Sequence, residues 1–405
     1  MNRPETNNLT PAIQQAVLAL LRSALWGQER FPFAPEPDTD WQAVYAELQH
    51  QTIQHLPVDL LAAADPANTM QYIQNLSGNI RKWHRILECQ QLLTELFAQE
   101  GIRCVVLKGA AAARYYPMPE YRCMGDIDLL VLPEDFDRAL ALLQPTWEIL
   151  SSNPRHVEMR HNRIVLELHK KFSNFHSPDL CQYLDSTIFA DIPHAQTVSL
   201  ERFSFPCLPR KSNGLVLLTH INSHMEFGLG FRQMVDWMMY VDRELDDTFW
   251  QTEFSAAARQ LGLEKLALTV TRMCQLYLGL REDITWCHSA DEALCAELLE
   301  HTFRQGNFGR RMPSKVNQAI GVISNTKKFR TFFREMQLRG LRNWPAVAKH
   351  PGLRPFAWLY QVFRYIRLGL QQEHPIRFLR HTLSSVKQQS SLLDRLEVTR
   401  MNNDH

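Results

Sequence analysis

The stretch VVLKGAAAARYYPMPEYRCMGDIDLLV, residues 105–131, decides the fold class. It begins inside a short apolar run, IRCVVLK (102–108), entered after Gly101 and left at Gly109, which reads as a buried strand. AAAARYY (110–116) reads as a short helix and PMPEYRCMG (117–125) as a loop. DIDLLVL (126–132) reads as a second strand, and PEDFDRALALLQ (133–144) as a helix with proline in its first turn. Downstream, WEILSS, RHVEMRH and RIVLELHKK read as further strands, the last two joined by a tight turn near Asn162. To either side the apolar residues recur at helical spacing, over 10–26, 41–63 and 68–100 before this segment and over 212–227 and 231–245 after it. The order is helical, then α/β, then helical again. It predicts four regions: 1–100 helical, 101–210 α/β, 211–325 helical, and 326–405 basic and amphipathic. The last ten residues, LEVTRMNNDH, read as a frayed end.

The composition is that of a globular protein. Of 405 residues 45% are hydrophobic and 21% charged, and 44 Lys and Arg stand against 43 Asp and Glu, for a net charge of +1. This excludes collagen-like, coiled-coil and wholly disordered classes, and a polyelectrolyte binder as a whole. The eight cysteines form no CxxC pair, which speaks against a zinc ribbon or a secreted disulfide framework. No basic leader precedes a long apolar run, and no 18-residue apolar run occurs. A cytoplasmic protein is expected.

The chemistry concentrates in the same stretch. On a strand, Asp126 and Asp128 point to one face while Ile127 and Leu129 point to the other. Two carboxylates so placed repel each other unless something compensates, and hard oxygen donors suit Mg²⁺, with Mn²⁺ an alternative. Two such ions can clamp the attacking and leaving oxygens of a phosphoryl displacement. Glu167, in the apolar run IVLELH, offers a third acid, as a metal ligand or as base for an acceptor hydroxyl. Lys108, Gly109 and Ala110 form a strand-to-helix turn whose backbone N–H groups could hold phosphates, with Lys108 as counter-charge. Arg122 could bind further phosphate oxygens. Lys108 has a second candidate partner in Asp126 or Asp128 themselves.

LKGAAAARYY and YRCMGDIDLLV, followed by VLELH, resemble the uncharacterised nucleotidyltransferase family within the polymerase-β-like superfamily. The resemblance covers roughly residues 40–245, through DTDWQAVYAELQHQTIQHLPVDLL (38–61) and LVLLTHINSHMEFGLGFRQMVDWMMYV (215–241), and is most specific at 105–131 and 164–169. It implies a small mixed sheet flanked by helices, hence an α+β fold. It also implies metal-dependent attack of an acceptor on a nucleoside triphosphate, ATP first among them, with pyrophosphate leaving. Asp126 and Asp128 would then bind the metals, Glu167 would be the third acid, and Gly109 would form the phosphate-holding turn. The superfamily turn is commonly Gly-Gly or Gly-Ser; here it is Gly109-Ala110, which leaves open whether a nucleotidyl or a phosphoryl group moves. The resemblance suggests bacterial polysaccharide or peptide-modification settings. It does not name the acceptor, which could be a small molecule, sugar, peptide or protein hydroxyl.

Other residues carry two readings each. His169 is a supporting group for Glu167 or a metal, or a packed polar residue at a strand end. His220 and His224, four apart on a helix, could share a metal, or could be hydrogen-bonded near substrate. Arg232 and Asp236, also four apart, read as an ion pair by default and as substrate-proximal residues by resemblance. Tyr115 and Tyr116 could stack on a base or simply pack. Residues 327–387 carry thirteen Lys and Arg against Glu335 and Glu373, interleaved with aromatics. Such a segment could lie on an anionic membrane, grip nucleic acid, or pack on the body with its charges in water. A membrane surface is favoured somewhat over nucleic acid, and a nucleic-acid polymerase is disfavoured because the basic segment is far in sequence from the acids and no DNA-binding hairpin motif accompanies it. A non-catalytic binding module built on the basic segment is the rival to an enzyme, and the presence of the acids speaks against it.

Overall fold

The computed structural model describes residues 9–307, 343–370 and 388–402, with single positions 333, 336, 337, 340 and 341. Helix α1 (Pro11–Trp26) starts where the Thr10 hydroxyl accepts from the Ile13 N–H and Pro11 supplies a preset φ. The helical run expected over 41–63 is two helices, α2 (Trp41–His50) and α3 (Val58–Ala64). It breaks because the Gln51 side chain is drawn into the interior. There it donates to Glu47 and the Thr302 carbonyl and accepts from the Phe231 N–H. Thr52 then turns with φ at 60°, and Pro57 bars a continuous ladder. Helix α4 (Thr69–Gln99) follows, ending near Gly101 as the sequence predicts.

Seven strands form one mixed sheet in the order β3-β4-β5-β2-β1-β7-β6. They are β1 (Cys104–Leu107), β2 (Ile127–Val131), β3 (Glu148–Ser152), β4 (His156–His161), β5 (Ile164–His169), β6 (Gln196–Leu200) and β7 (Phe203–Cys207). Central strand β2 runs antiparallel to β1 and parallel to β5. The β4–β5 hairpin turns at Asn162 and Arg163, both with positive φ, as the RHNR reading requires. The short helix α5 (Gly109–Ala113) follows β1, and α6 (Phe136–Leu143) follows β2. Helix α7 (Pro178–Asp191) and the β6–β7 hairpin were not distinguished in the sequence. β6 is largely exposed and lacks the apolar run that marks β1, and β7 carries Pro206 within it.

The pleat sorts the sheet into two faces. Cys104, Val106, Ile127, Leu129, Val131, Val157, Met159, Leu166 and Leu168 share a core with Trp83, Leu87 and Phe97 of α4 and Phe136 of α6. Val105, Leu107 and Leu130 face the other way, into a larger core. That core joins α1–α3 to α8 (Arg210–Phe227), α9 (Phe231–Glu244), α10 (Asp247–Phe249), α11 (Ser255–Gln260), α12 (Glu264–Leu278) and α13 (Glu292–Gln305). Helices before and after the sheet thus close over the same face, the one that carries Asp128 and Glu167.

The chain end is a correction to the sequence reading. Leu392, Leu393, Leu396 and Met401 are buried in the larger core. Met401 bridges Phe175, and the Asn402 N–H donates to the Asn174 carbonyl at 2.7 Å. The Asn222 side chain holds the Thr399 backbone through both its N–H and its carbonyl. Apolar residues at helical spacing outweigh the polar letters around them. Among the described residues no helix is long and apolar enough to cross a membrane. Of the basic positions in 327–387, residues 327, 328, 330, 334, 339, 342, 377, 380 and 387 lie outside the described residues, as do Phe329, Phe332 and Phe378.

Candidate active site

The parallel pairing of β2 and β5 sets Asp128 directly beside Glu167, and the antiparallel pairing of β1 and β2 sets Leu107 opposite Asp128. Lys108, one residue past Leu107, therefore leaves the strand next to the acids. Its ammonium lies 2.8 Å from Asp128 Oδ1. Its backbone is held at φ 48° and ψ −134°, a conformation costly for a residue with a Cβ, and Gly109 follows at φ 32°. This strained pair turns the chain from β1 into α5. The N–H groups of α5's first turn have no preceding intrahelical carbonyl.

His169 completes the cluster. Its Nε2 lies 3.0 Å from Asp128 Oδ1 and 3.2 Å from Glu167 Oε2, so it donates between two carboxylates. His156 packs against it, ring centroids 4.9 Å apart. His156, Glu167 and His169 each bring one nitrogen or oxygen within 4.8 Å of the others, close enough to share a cation.

The electrostatics separate the acids. Burial and the neighbouring Asp128 raise the Asp126 carboxyl from 3.8 to about 6, despite the opposing fields of Lys108 and Arg232. Burial also acts to raise Glu167, but its hydrogen bond from His169 and the charge of Lys108 prevail, and it stays well below the carboxylate range. Lys108 is raised in spite of burial, because Asp128, Glu167 and Asp126 all favour its charge. His169 is raised by the same carboxylates, while burial and His169 lower His156 to about 4. The ensemble is a negative cluster neutralised in part by one lysine and one histidine.

Residues 37–279 match the sequence model of the uncharacterised nucleotidyltransferases. The chain belongs to this family. Among solved structures, an antigenic nucleotidyltransferase-like protein from Paracoccidioides brasiliensis is similar at 13% identity and a TM-score of 0.32, over 48% of this chain and 93% of that one. No protein of curated function matches the chain.

Within this family member the remaining expected residues also converge, with altered roles. Arg122 gives Nε and Nη2 to the two oxygens of Asp236 at 2.6 and 2.7 Å, and Nη1 to the Cys123 carbonyl. The Tyr116 hydroxyl donates to the same Asp236 at 2.7 Å. Arg122 is thus a buried tether between the acid-bearing loop and α9 rather than a phosphate ligand, and Asp236 takes Arg122 as its bidentate partner in place of Arg232. Tyr115 packs edge-on to Tyr240 and accepts from Asn213, which answers the packing reading for both tyrosines. His224 Nδ1 faces the Gly228 carbonyl, which can only accept, so His224 Nε2 accepts from His220 Nε2 at 3.0 Å. The pair is bonded to itself rather than splayed around an ion. Burial, His224, Lys108 and Arg232 hold His220 well below its usual range, which places it beside the cationic side of the site.

One residue was missed. Lys82 of α4, half-buried and without an ion pair among the described residues, is lowered by burial and feels Asp126 and Arg232. In the sequence it is one of many charged letters on a long helix. Only the packing of α4 along the sheet turns it toward Asp126.

Proposed function

We propose that the protein is a Mg²⁺-dependent nucleotidyltransferase that moves a nucleoside monophosphate from an NTP, ATP first among them, to a hydroxyl acceptor. The observation that supports this best is the pairing of Asp128 beside Glu167 on adjoining strands β2 and β5, with the Lys108 ammonium 2.8 Å from Asp128 and Asp126 in the field of all three. Burial and the neighbouring Asp128 and Glu167 raise Asp126, a cost that a bound cation would relieve, and carboxylate oxygens suit Mg²⁺ or Mn²⁺. When bound there, the ions would supply charge neutralisation at the phosphates and lower the cost of ionising the acceptor hydroxyl. Asp126, Asp128 and Glu167 would hold them. Glu167, kept ionised by His169 and Lys108, is a weak base and suits a ligand's role better than proton removal. The turn at Gly109 and Ala110, with Lys108, Lys82 and Arg232, would hold the triphosphate. The acceptor oxygen would bond to the α-phosphorus as the bond to pyrophosphate breaks. His169, His220, His224 and the Arg122–Asp236 tether would shape the surroundings. Residues 101–210 would carry the chemistry, 1–100 and 211–325 the helical walls, and 326–405 the basic region.

The test uses purified full-length protein with Mg²⁺ and NTP labelled at the α- or γ-phosphate, and the Asp126→Ala, Asp128→Ala double variant beside it. Metal-dependent transfer of α-label, lost in the variant, is the expected result. Transfer of γ-label would make it a phosphotransferase on the same scaffold. A well-folded protein with no metal-dependent NTP binding would overturn the proposal.

A further inference from the structure

The body of the protein is described up to Asn307 and again from Gln388. The sequence between, 308–387, carries 16 Lys and Arg against two acids, so the rest of the chain, on a net of +1, is strongly acidic. The molecule is electrically bipolar: a basic arm on an acidic body.

The described part of this segment shows aromatic side chains to water. In the helix Ala357–Leu370, Ala357 and Gln361 are buried, at 0% and 1% exposure, four residues apart on one face. That face lies against Gly340, Asn343 and Trp344. A Cβ at Gly340 would come 1.8 Å from the Ala357 carbonyl oxygen, so only glycine permits the approach. Asn343 donates to Gln361, and Trp344 stacks flat on Tyr360. Away from that face stand Phe356, which ends the short 3-10 turn Pro351–Phe356 before the helix, and Phe363 within it, 54% and 67% exposed. Arg367, also exposed, continues that line one turn on, and exposed Arg354 flanks its start. Two phenylalanines in line and open to water, beside exposed arginines, form an apolar, basic-flanked surface suited to a partner.

We propose that this aromatic, arginine-flanked face is a docking surface for an anionic lipid bilayer. The phenylalanines enter the boundary between headgroups and acyl chains, and Arg354 and Arg367 reach back to the anionic headgroups. The charge asymmetry favours this surface, since an anionic bilayer attracts the basic segment and repels the acidic remainder. Nucleic acid would also attract the charge. A duplex groove, however, is read by polar side chains, and here the protruding ones are phenylalanines.

The experiment is flotation of the full-length protein with vesicles of phosphatidylcholine alone or mixed with phosphatidylglycerol, with a short duplex DNA and a short RNA as competing ligands. The protein should float with the anionic vesicles only. The Phe356→Ser, Phe363→Ser double variant should lose about tenfold or more of that affinity at unchanged net charge, with its melting temperature and metal-dependent NTP binding intact. A second variant, Arg354→Gln with Arg367→Gln, should lose the preference for anionic lipid. Failure of the wild type to float overturns the proposal, and so does equal flotation of the phenylalanine variant, which would reduce the arm to charge attraction. Binding of DNA or RNA in place of vesicles, sensitive to the same phenylalanines, would assign the surface to nucleic acid instead.

Discussion

Lys108 occupies the position a cation should take, and replacing it tests the electrostatic account of the site. Its ammonium sits 2.8 Å from Asp128, whose side chain is 4% exposed, and it is favoured as well by Glu167 and Asp126. At an effective dielectric near 20, one contact at that distance has a gross Coulomb energy of about 6 kcal/mol. Desolvation consumes much of it, but removal of one partner from a buried pair leaves the other uncompensated, at about 3–5 kcal/mol. Lys108→Met, close in length and uncharged, should therefore lower stability by roughly 3 kcal/mol at pH 7.5 without divalent ions. Two treatments should restore it. Mg²⁺ at 100 times its dissociation constant contributes about 2.7 kcal/mol, and it meets in the variant a carboxylate set with no ammonium in competition. Lowering the pH should act in the same direction. Asp126 already stands at about 6 rather than 3.8, so the folded state binds its proton more readily than the unfolded chain. That group's contribution is complete below the unfolded value and lost as pH rises through 6. Without Lys108 the window moves further up, and acidification from 7.5 to 5.5 should stabilise the variant relative to wild type. Urea titrations of both proteins, with and without Mg²⁺, at the two pH values provide the readout. A variant as stable as wild type without metal, or one that gains no more from Mg²⁺ than wild type does, would refute the reasoning.

Three further outcomes follow from the same geometry. Arg122→Met or Asp236→Leu alone should cost about 3–5 kcal/mol, and the two together far less than their sum, as a double-mutant cycle in urea would reveal. On the proposed reading, in which Lys82 would meet the phosphates and not the reacting bond, Lys82→Gln should raise the KM for NTP about tenfold with a smaller change in kcat. His55 and His301 are buried and pulled from 6.5 to about 4, so the unfolded chain takes up their protons first and stability falls as pH drops from 6.5 toward 4. Each contributes up to ~3 kcal/mol to that loss, and His301→Gln should flatten the pH dependence of the urea midpoint over this range.

What the sequence revealed and what it concealed divide along a physical line. Asp126, Asp128 and Glu167 were legible because they interrupt apolar strands, where a carboxylate has no packing reason to be, and because strand periodicity fixes which face it points to. Their adjacency was not legible. It depends on β5 pairing parallel to β2, a choice made by the crossover through α6, β3 and β4 and not by any local letter. The misread residues are those whose partners come from far along the chain. Arg122 and Asp236 are 114 positions apart, and each has a nearer candidate in sequence: phosphate for the one and Arg232 for the other. Lys82 is silent for the same reason, since its site lies across a helix–sheet interface. Leu396 and Met401 look frayed until Phe175 and Asn222 are brought to them. Local propensity and periodicity thus specify the elements and the chemistry each carries, and long-range pairing specifies which charges meet. The same acids on non-adjacent strands would not meet, and Lys108 would have no cluster to neutralise.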